Sequence, residues 1–321
     1  MADALRVAFL GECMIELYEK PGEAPGTMHR TVGGDTLNAA VYCRRALGDD
    51  AALAVHYVTR LGDDPFGREI PAFIEAEGVA TDHVRLAPGE TTGLYAISRD
   101  PQGERSFAYW RSAAAARRLF TDGEEDALAR TLAGFDALYF TGISLAVLPP
   151  EGRARLLALA REMKVAGRIV GFDGNYRPRL WESVEAARDT IAAAHGAATL
   201  TMPGLDDEQA LYGDRDAHAA AERLLGFGAS AAIVKSGGDP AVVAEPGHVR
   251  EVAGRKAPRI VDTTSAGDSF NGAAMAVRLK GGTLDRAAEA GHRMASAVIG
   301  EYGAIVGRES TVWPGGPLAR D

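Results

Sequence analysis

Short, unbroken apolar runs recur along this chain, each closed by Gly, Asp or a turn: LRVAFLG (5–11), ALAVHYVTRLG (52–62), DALYFTG (136–142), GRIVGFD (167–173), AATLTM (197–202) and AAIVKSG (231–237). Their length suits strands, and their continuous apolar character suits strands buried on both faces. Helical stretches lie between them: TLNAAVYCRRALG, PFGREIPAFIEAEG, PEGRARLLALAREMKVAG and DAHAAAERLLGFG. Parallel strands need a long crossover, and a helix supplies it. The alternation predicts an α/β fold in which helices cover both faces of a mostly parallel central sheet.

Two segments break the rhythm. Residues 12–32 hold strand-like pieces and turn residues but no helix, and ETTGLYAISRDPQGERSFAYWR (90–111) reads as a hairpin around DPQG. Extra strands outside a parallel core suit a small lid over a site. At 321 residues the chain is long enough for two domains or one large one, at about 150 residues per domain. No linker-like stretch divides it, so one domain over 1–321 is expected, with a lid formed by roughly 12–35 and 90–111.

The formal net charge of −9 argues against nucleic acid or an anionic membrane as partner. No apolar run approaches the roughly 18 residues of a membrane span, and MADALRVAFLG is too short for a signal peptide. A cytoplasmic protein is expected. Cys13 and Cys43 make no CxxC, and the histidines make no HxxxH pair, so no zinc site is expected. An anionic ligand would meet a repulsive overall field, so local cations and helix N-termini would have to build its pocket.

Near the C-terminus IVDTTSAGDSFNG (260–272) runs from an extended segment into a helix-like one. Small residues there let backbone N–H groups approach an anion, and Asp268 would sit in the first helical turn beside it. A carboxylate so placed can accept a proton from an attacking hydroxyl. It can equally be an acid that satisfies the orphan N–H groups of the helix. Gly226-Phe227-Gly228 looks like part of a dinucleotide fingerprint but follows a helix and precedes a strand, the wrong order for one.

DTTSAGDSFNG resembles the C-terminal signature of the ribokinase-like carbohydrate kinases, commonly DTTGAGD. The resemblance covers nearly the whole chain. It implies a ribokinase-like three-layer α/β/α sandwich with a small β-strand lid, and ATP with Mg2+ as phosphoryl donor. It also implies Asp268 as general base, with Ser265, Ala266 and Gly267 as the anion hole; Ser265 stands where Gly is usual. Gly33-Gly34-Asp35-Thr36-Leu37-Asn38 matches the family's Gly-Gly motif. Paired glycines admit a ligand to the backbone, and Asp35 can accept bonds from sugar hydroxyls. Ile233-Val234-Lys235-Ser236-Gly237-Gly238 resembles the strand end beneath the nucleotide, which makes Lys235, Gly237, Gly238, Thr264 and Gly267 nucleotide residues. The family's magnesium-associated NxxE falls on Leu205-Asp206-Asp207-Glu208: Glu208 matches, acting through water, while the Asn is missing and Asp206 or Asp207 would stand in. A monovalent cation, K+, near Asp262 is a further implication of the resemblance.

Within the family, GGDTLNAA, GECMIEL, HYVTRLGDDPFG, YWR, GISLAVL and NYRPRLW resemble the 2-keto-3-deoxygluconate kinases. A sugar acid needs a cation for its carboxylate, and Arg matches it bidentately. Arg111 follows the hairpin strand, and Arg177 lies just past a strand end, where open α/β sheets bind ligands. Arg179 could take the place of Arg177, and either could be a surface ion pair. The resemblance makes Gly34, Asp35, Asn38, Tyr95, Tyr109, Arg111, Asn175 and Arg177 substrate residues. It implies transfer to the C6 hydroxyl of the sugar acid. The alternatives are a kinase for a neutral ketose such as fructose, or a non-catalytic sugar-binding protein. A lid with open strand edges further suggests a homodimer through the lid.

Overall fold

The structure is a computed structural model that describes residues 4–19, 23–24, 26–48, 50, 52–99 and 105–311. Its strands are β1 (Leu5–Leu10), β2 (Met14–Tyr18), β3 (His29–Gly33), β4 (Leu53–Gly62), β5 (Ala80–Ala87), β6 (Leu94–Arg99), β7 (Arg105–Trp110), β8 (Ala137–Thr141), β9 (Ile169–Asp173), β10 (Leu200–Thr201), β11 (Ala232–Val234), β12 (Ala241–Glu245) and β13 (His248–Val252). A nine-stranded sheet runs in the order β13-β12-β11-β10-β9-β8-β1-β4-β5. It is parallel from β11 to β5, and β12 and β13 join antiparallel at one edge. Every apolar run read as a strand lies in this sheet. The reading omitted β5, β12 and β13. β5 is the opposite edge strand and half-exposed along its length, so it lacks the continuous apolar signal of a buried strand.

Burial splits each central strand between two faces. Val7 and Phe9 enter one apolar cluster with α1 (Asp35–Leu47), α9 (Ala266–Leu279) and α10 (Leu284–Val298). Ala8 and Leu10 enter another, with α3 (Glu125–Ala133), α5 (Pro150–Val165) and α6 (Val184–Ala197). Side chains alternate along a strand, so the two clusters lie on opposite faces and the architecture is three layers. The remaining helices are α2 (Pro65–Ala76), α4 (Gly142–Val147), α7 (Leu205–Tyr212), α8 (Ala217–Gly226) and α11 (Arg308–Thr311). Local chemistry fixes their starts. Asp64 caps α2, accepting from the Phe66 and Gly67 amides at 3.0 and 2.7 Å, with Pro65 in the first turn.

The segments that broke the rhythm form a second sheet of order β3-β2-β6-β7. β6 and β7 are antiparallel, as a hairpin requires, and β2 joins β6 in parallel. The DPQG turn between β6 and β7 lies outside the described residues.

The sheet delivers strand ends to one rim, and α1 and α9 cross it together. Their contact depends on Gly272. A Cβ there would lie 2.4 Å from the Ala39 carbonyl oxygen and 2.8 Å from the Cys43 amide nitrogen, both backbone atoms that cannot step aside. Gly272 is four residues past Asp268, so both face α1. Gly272→Ala is expected to lower the unfolding free energy by about 1–3 kcal/mol through overpacking, read from denaturant melts. An unchanged melt would mean that the helices part without cost.

Candidate active site

The helix α9 begins where the backbone turns sharply. Asp262 closes that turn, accepting the Thr264 amide at 3.0 Å, the Thr264 hydroxyl at 2.7 Å and the Gly303 amide at 3.2 Å. Ser265 then adopts the left-handed region, φ 64 and ψ 12. Only there can the chain swing into the helix, which explains why glycine suits the position. The Ala266 amide bonds the Thr263 carbonyl and the Ser269 amide the Ser265 carbonyl. The Gly267 and Asp268 amides remain as orphan donors at the start of a 14-residue helix.

Two cavities meet at this turn. The larger, about 680 Å³, is lined by Ser236, Gly237, Gly238, Ile260 and Phe270 and by Ala295 of α10. The smaller, about 260 Å³, is lined by Asp35, Asp173, Asn175, Arg177, Asp207 and Asp268. Gly204, Lys235, Thr263, Ala266 and Gly267 line both. The first is long and largely apolar; the second is small and dense in hydrogen-bonding groups.

The smaller cavity is built on three carboxylates, each held by an amide. Asn38 Nδ2 donates to Asp268 Oδ2 at 2.9 Å. Asn175 Nδ2 donates to Asp35 Oδ2 at 3.0 Å, and Thr141 Oγ1 adds a 2.5 Å bond to the same oxygen. Asn271 Nδ2 donates to Asp173 Oδ2 at 2.6 Å, and Lys235 Nζ pairs with that oxygen at 2.8 Å. These are all the asparagines of the chain. Lys235 also donates to Asn271 Oδ1 at 2.9 Å, so it is locked rather than mobile.

Crowding carboxylates in a partly dry site raises their proton affinity. Burial, and then the charge of Asp35, push Asp268 up to about 7, while the Asn38 bond and Lys235 oppose the rise. Burial raises Asp35 too, against its bonds to Thr141 and the Thr36 amide and the charge of Arg111. The two acids titrate as a pair. Burial raises Asp207 to about 6, opposed by Arg177, whose Nη1 bonds Asp207 at 3.0 and 3.2 Å.

The structure gathers Asp35, Asn175, Arg177, Lys235, Ser265, Ala266, Gly267 and Asp268 around the smaller cavity, with Asn38 one bond behind, and Gly237 and Gly238 along the larger. Gly34 backs the site at φ 155, where a Cβ would lie 2.5 Å from the Glu12 carbonyl oxygen. The remaining expected site residues do not line these two cavities. Glu208 is 1% exposed; its carboxylate bonds Arg223 at 2.6 Å and lies 3.6 Å from His195, and the acids at the cavities are Asp206 and Asp207. The Thr264 hydroxyl turns to Asp262, and it is Thr263 that lines both cavities. Tyr95 is buried in the second sheet with its hydroxyl on Glu16; Tyr109 stacks on it at 5.8 Å and is half exposed. Arg111 pairs with buried Glu12. Asp173, Thr141 and Asn271 were missed as site residues. The signal for Asp173 was its place at the C-terminal end of a buried strand.

A largely apolar cavity and a smaller polar one thus meet at the start of α9. Comparison with known proteins identifies the class. Residues 4–311 match the model of the pfkB family carbohydrate kinases, and the chain belongs to that family. Among curated relatives, the 2-dehydro-3-deoxygluconokinase of Dickeya dadantii is 43% identical over 307 residues, covering 95% of this chain and 97% of its own. The fructokinase of Klebsiella pneumoniae is 29% identical over 266 residues, covering 83% and 81%. The solved PfkB protein of Polaromonas sp. JS666 superposes with a TM-score of 0.79 at 27% identity, covering 92% of this chain and 96% of that one.

Left-handed geometry costs an L-residue about 1–2 kcal/mol, and glycine gives back about 0.4–1 of that as unfolded-state entropy. Ser265→Gly is thus expected to raise the melting temperature slightly in thermal unfolding. A lower melting temperature would show that the Ser265 side chain stabilises the turn.

Proposed function

We propose that this chain phosphorylates 2-dehydro-3-deoxygluconate (2-keto-3-deoxygluconate) with ATP, at the C6 hydroxyl. The observation that carries the reading is the shared turn. Asp268 lines the small polar cavity and not the large one, while Ala266 and Gly267 beside it line both. ATP would lie in the larger cleft with its phosphates at Gly267 and the start of α9, where orphan N–H groups and the helix dipole offset the chain's negative field. The sugar acid would fill the smaller cavity, its hydroxyl at Asp268.

Asp268 then takes the hydroxyl proton, the hydroxyl oxygen attacks the γ-phosphorus in line, and the bond to ADP breaks. Lys235 and the Gly267 and Asp268 amides stabilise the charge spread over the transferred group. Asn38 keeps one oxygen of Asp268 occupied and the other turned to the proton. Arg177, at the mouth of the cavity, would exchange Asp207 for the substrate carboxylate. Arg111 and Tyr109 would reach it from the lid. Mg2+ takes oxygen ligands and keeps several waters, so Asp206 and Asp207, at the border of the cavities, fit it better than the sealed Glu208. It would neutralise phosphate charge.

The same reading places K+ beside Asp262, whose carboxylate already shapes the turn before α9. It also includes a one-domain chain with a closing lid, and a cytoplasmic site of action where ATP is available. A homodimer is supported by the lid edge, where Tyr109 and Trp110 of β7 are 50% and 61% exposed.

ADP release with ATP-Mg2+ and a panel of this sugar acid, its galactonate epimer, fructose and ribose tests the proposal. Turnover of the sugar acid is expected, reduced by about 10²–10⁴-fold in Asp268→Asn. Turnover of fructose alone would favour the fructokinase relatives. The base must be ionised, so kcat/KM of the wild type should rise with pH through about 7 and fall below it; a profile flat from pH 5.5 to 8.5 would remove Asp268 from that role. Each charged hydrogen bond contributes about 1.5–3 kcal/mol, so Arg177→Ala and Arg111→Ala should each cost about 10–100-fold in kcat/KM for the acid. The cost for a neutral sugar should be far smaller. Equal losses for both would mean that neither arginine reads the carboxylate.

A further inference from the structure

The second cluster of metal-ligating side chains lies away from the cleft, near the N-terminal ends of the strands. His56 sits early in β4, and Asp82 and His83 sit on the edge strand β5 beside it. We infer that His56, Asp82 and His83 form a binding site for a divalent cation of the zinc class.

The geometry supplies the first argument. One ligand atom from each residue lies within 4.8 Å of the others, and His56 Nδ1 is 2.8 Å from Asp82 Oδ2. A break in strand register supplies the second. Between His56 and Val58 of β4 the partner moves from Ala80 to His83, so β5 carries an extra residue there. Regular pleating would send Asp82 and His83 to opposite faces; a bulge re-aims them, and bulges gather at sheet edges beside functional sites.

The third argument is an unsatisfied group. His56 is 9% exposed; its Nδ1 faces Asp82, and its Nε2 has no hydrogen-bond partner. A buried ring nitrogen without a partner is costly unless something else binds it. Phe135 backs both rings edge-on, at 5.1 Å from His56 and 5.5 Å from His83, and fixes their planes.

Two imidazoles and one carboxylate suit zinc and its neighbours, not Mg2+, which prefers oxygen. Asp82 is 64% exposed at its side chain, which leaves the cation an open side toward water. The nearby cations are already engaged. Arg6 lies over the Phe135 ring at 4.6 Å and bonds the Gly134 carbonyl, and Arg85 pairs with Asp122 and Glu124. A cation here would clip the edge strand β5 to β4 and cover an otherwise open sheet edge.

The test uses the full chain without nucleotide and titrates Zn2+ and Co2+ by equilibrium dialysis. One equivalent of Zn2+ is expected, with Co2+ giving a visible d–d spectrum and Zn2+ raising the melting temperature. His83→Gln should abolish the spectrum and the thermal shift. Its affinity loss should exceed the roughly 10–100-fold typical of losing an outer-shell partner, while Mg2+-dependent turnover is unchanged. Asp82→Asn, exposed and safe for folding, should weaken binding in the same direction. Absence of stoichiometric Zn2+ binding at micromolar metal would overturn the proposal. So would binding that survives His83→Gln, which would place the metal in the acidic cleft.

Discussion

Three aspartates that share one small cavity set the terms for the rest of the molecule. Left alone, Asp35, Asp173 and Asp268 would repel one another in a site too dry to screen them. Each is held by the amide of one asparagine, and Lys235 adds a positive charge at Asp173. The donors come from different elements: Asn38 from α1, Asn175 from the loop after β9, Asn271 from α9 and Lys235 from just past β11. The cluster therefore exists only when the sheet and the two helices over it are assembled. It is a densely hydrogen-bonded polar centre, and such networks favour one arrangement of the elements that supply them.

The closeness of α1 and α9 follows from that demand. Asn38 must reach Asp268 across the helix interface, and Gly272 lets the backbones approach far enough. On the other side of the same turn, Asp262 and the left-handed Ser265 aim the helix start at the cavities. Electrostatics then divides the labour. A chain of net charge −9 carries a field that repels anions at a distance, while backbone dipoles at the start of α9 and one buried lysine make a local positive region. The arrangement costs a strained residue and a crowded acid whose proton affinity is raised toward neutrality.

Much of this could be read from residue order. The apolar runs of the central strands, the helical stretches between them and the strands of the second sheet all appear where the sequence put them. Arg177, Asp268, Lys235 and the asparagines sit in motifs short enough to be seen locally. Other features could not be read. β5 hides because an edge strand is half polar. The resemblance implies Glu208 as a metal contact, yet the turn of α7 carries it inward to Arg223 and His195 and leaves Asp206 and Asp207 at the cavities. No sequence spacing joins His56 to His83, because the pair arises from strand register and a bulge.

The sequence by itself determined the layer order and the chemical kinds of side chain delivered to the strand ends. These depend on local propensity and hydrophobic period, which each segment carries within itself. Only the tertiary structure decided which carboxylates are crowded together, which is sealed and which is shared with an arginine. Those outcomes depend on distances between segments far apart in the chain, on burial and on the competition of one donor for several acceptors, none of which has a local signature in residue order.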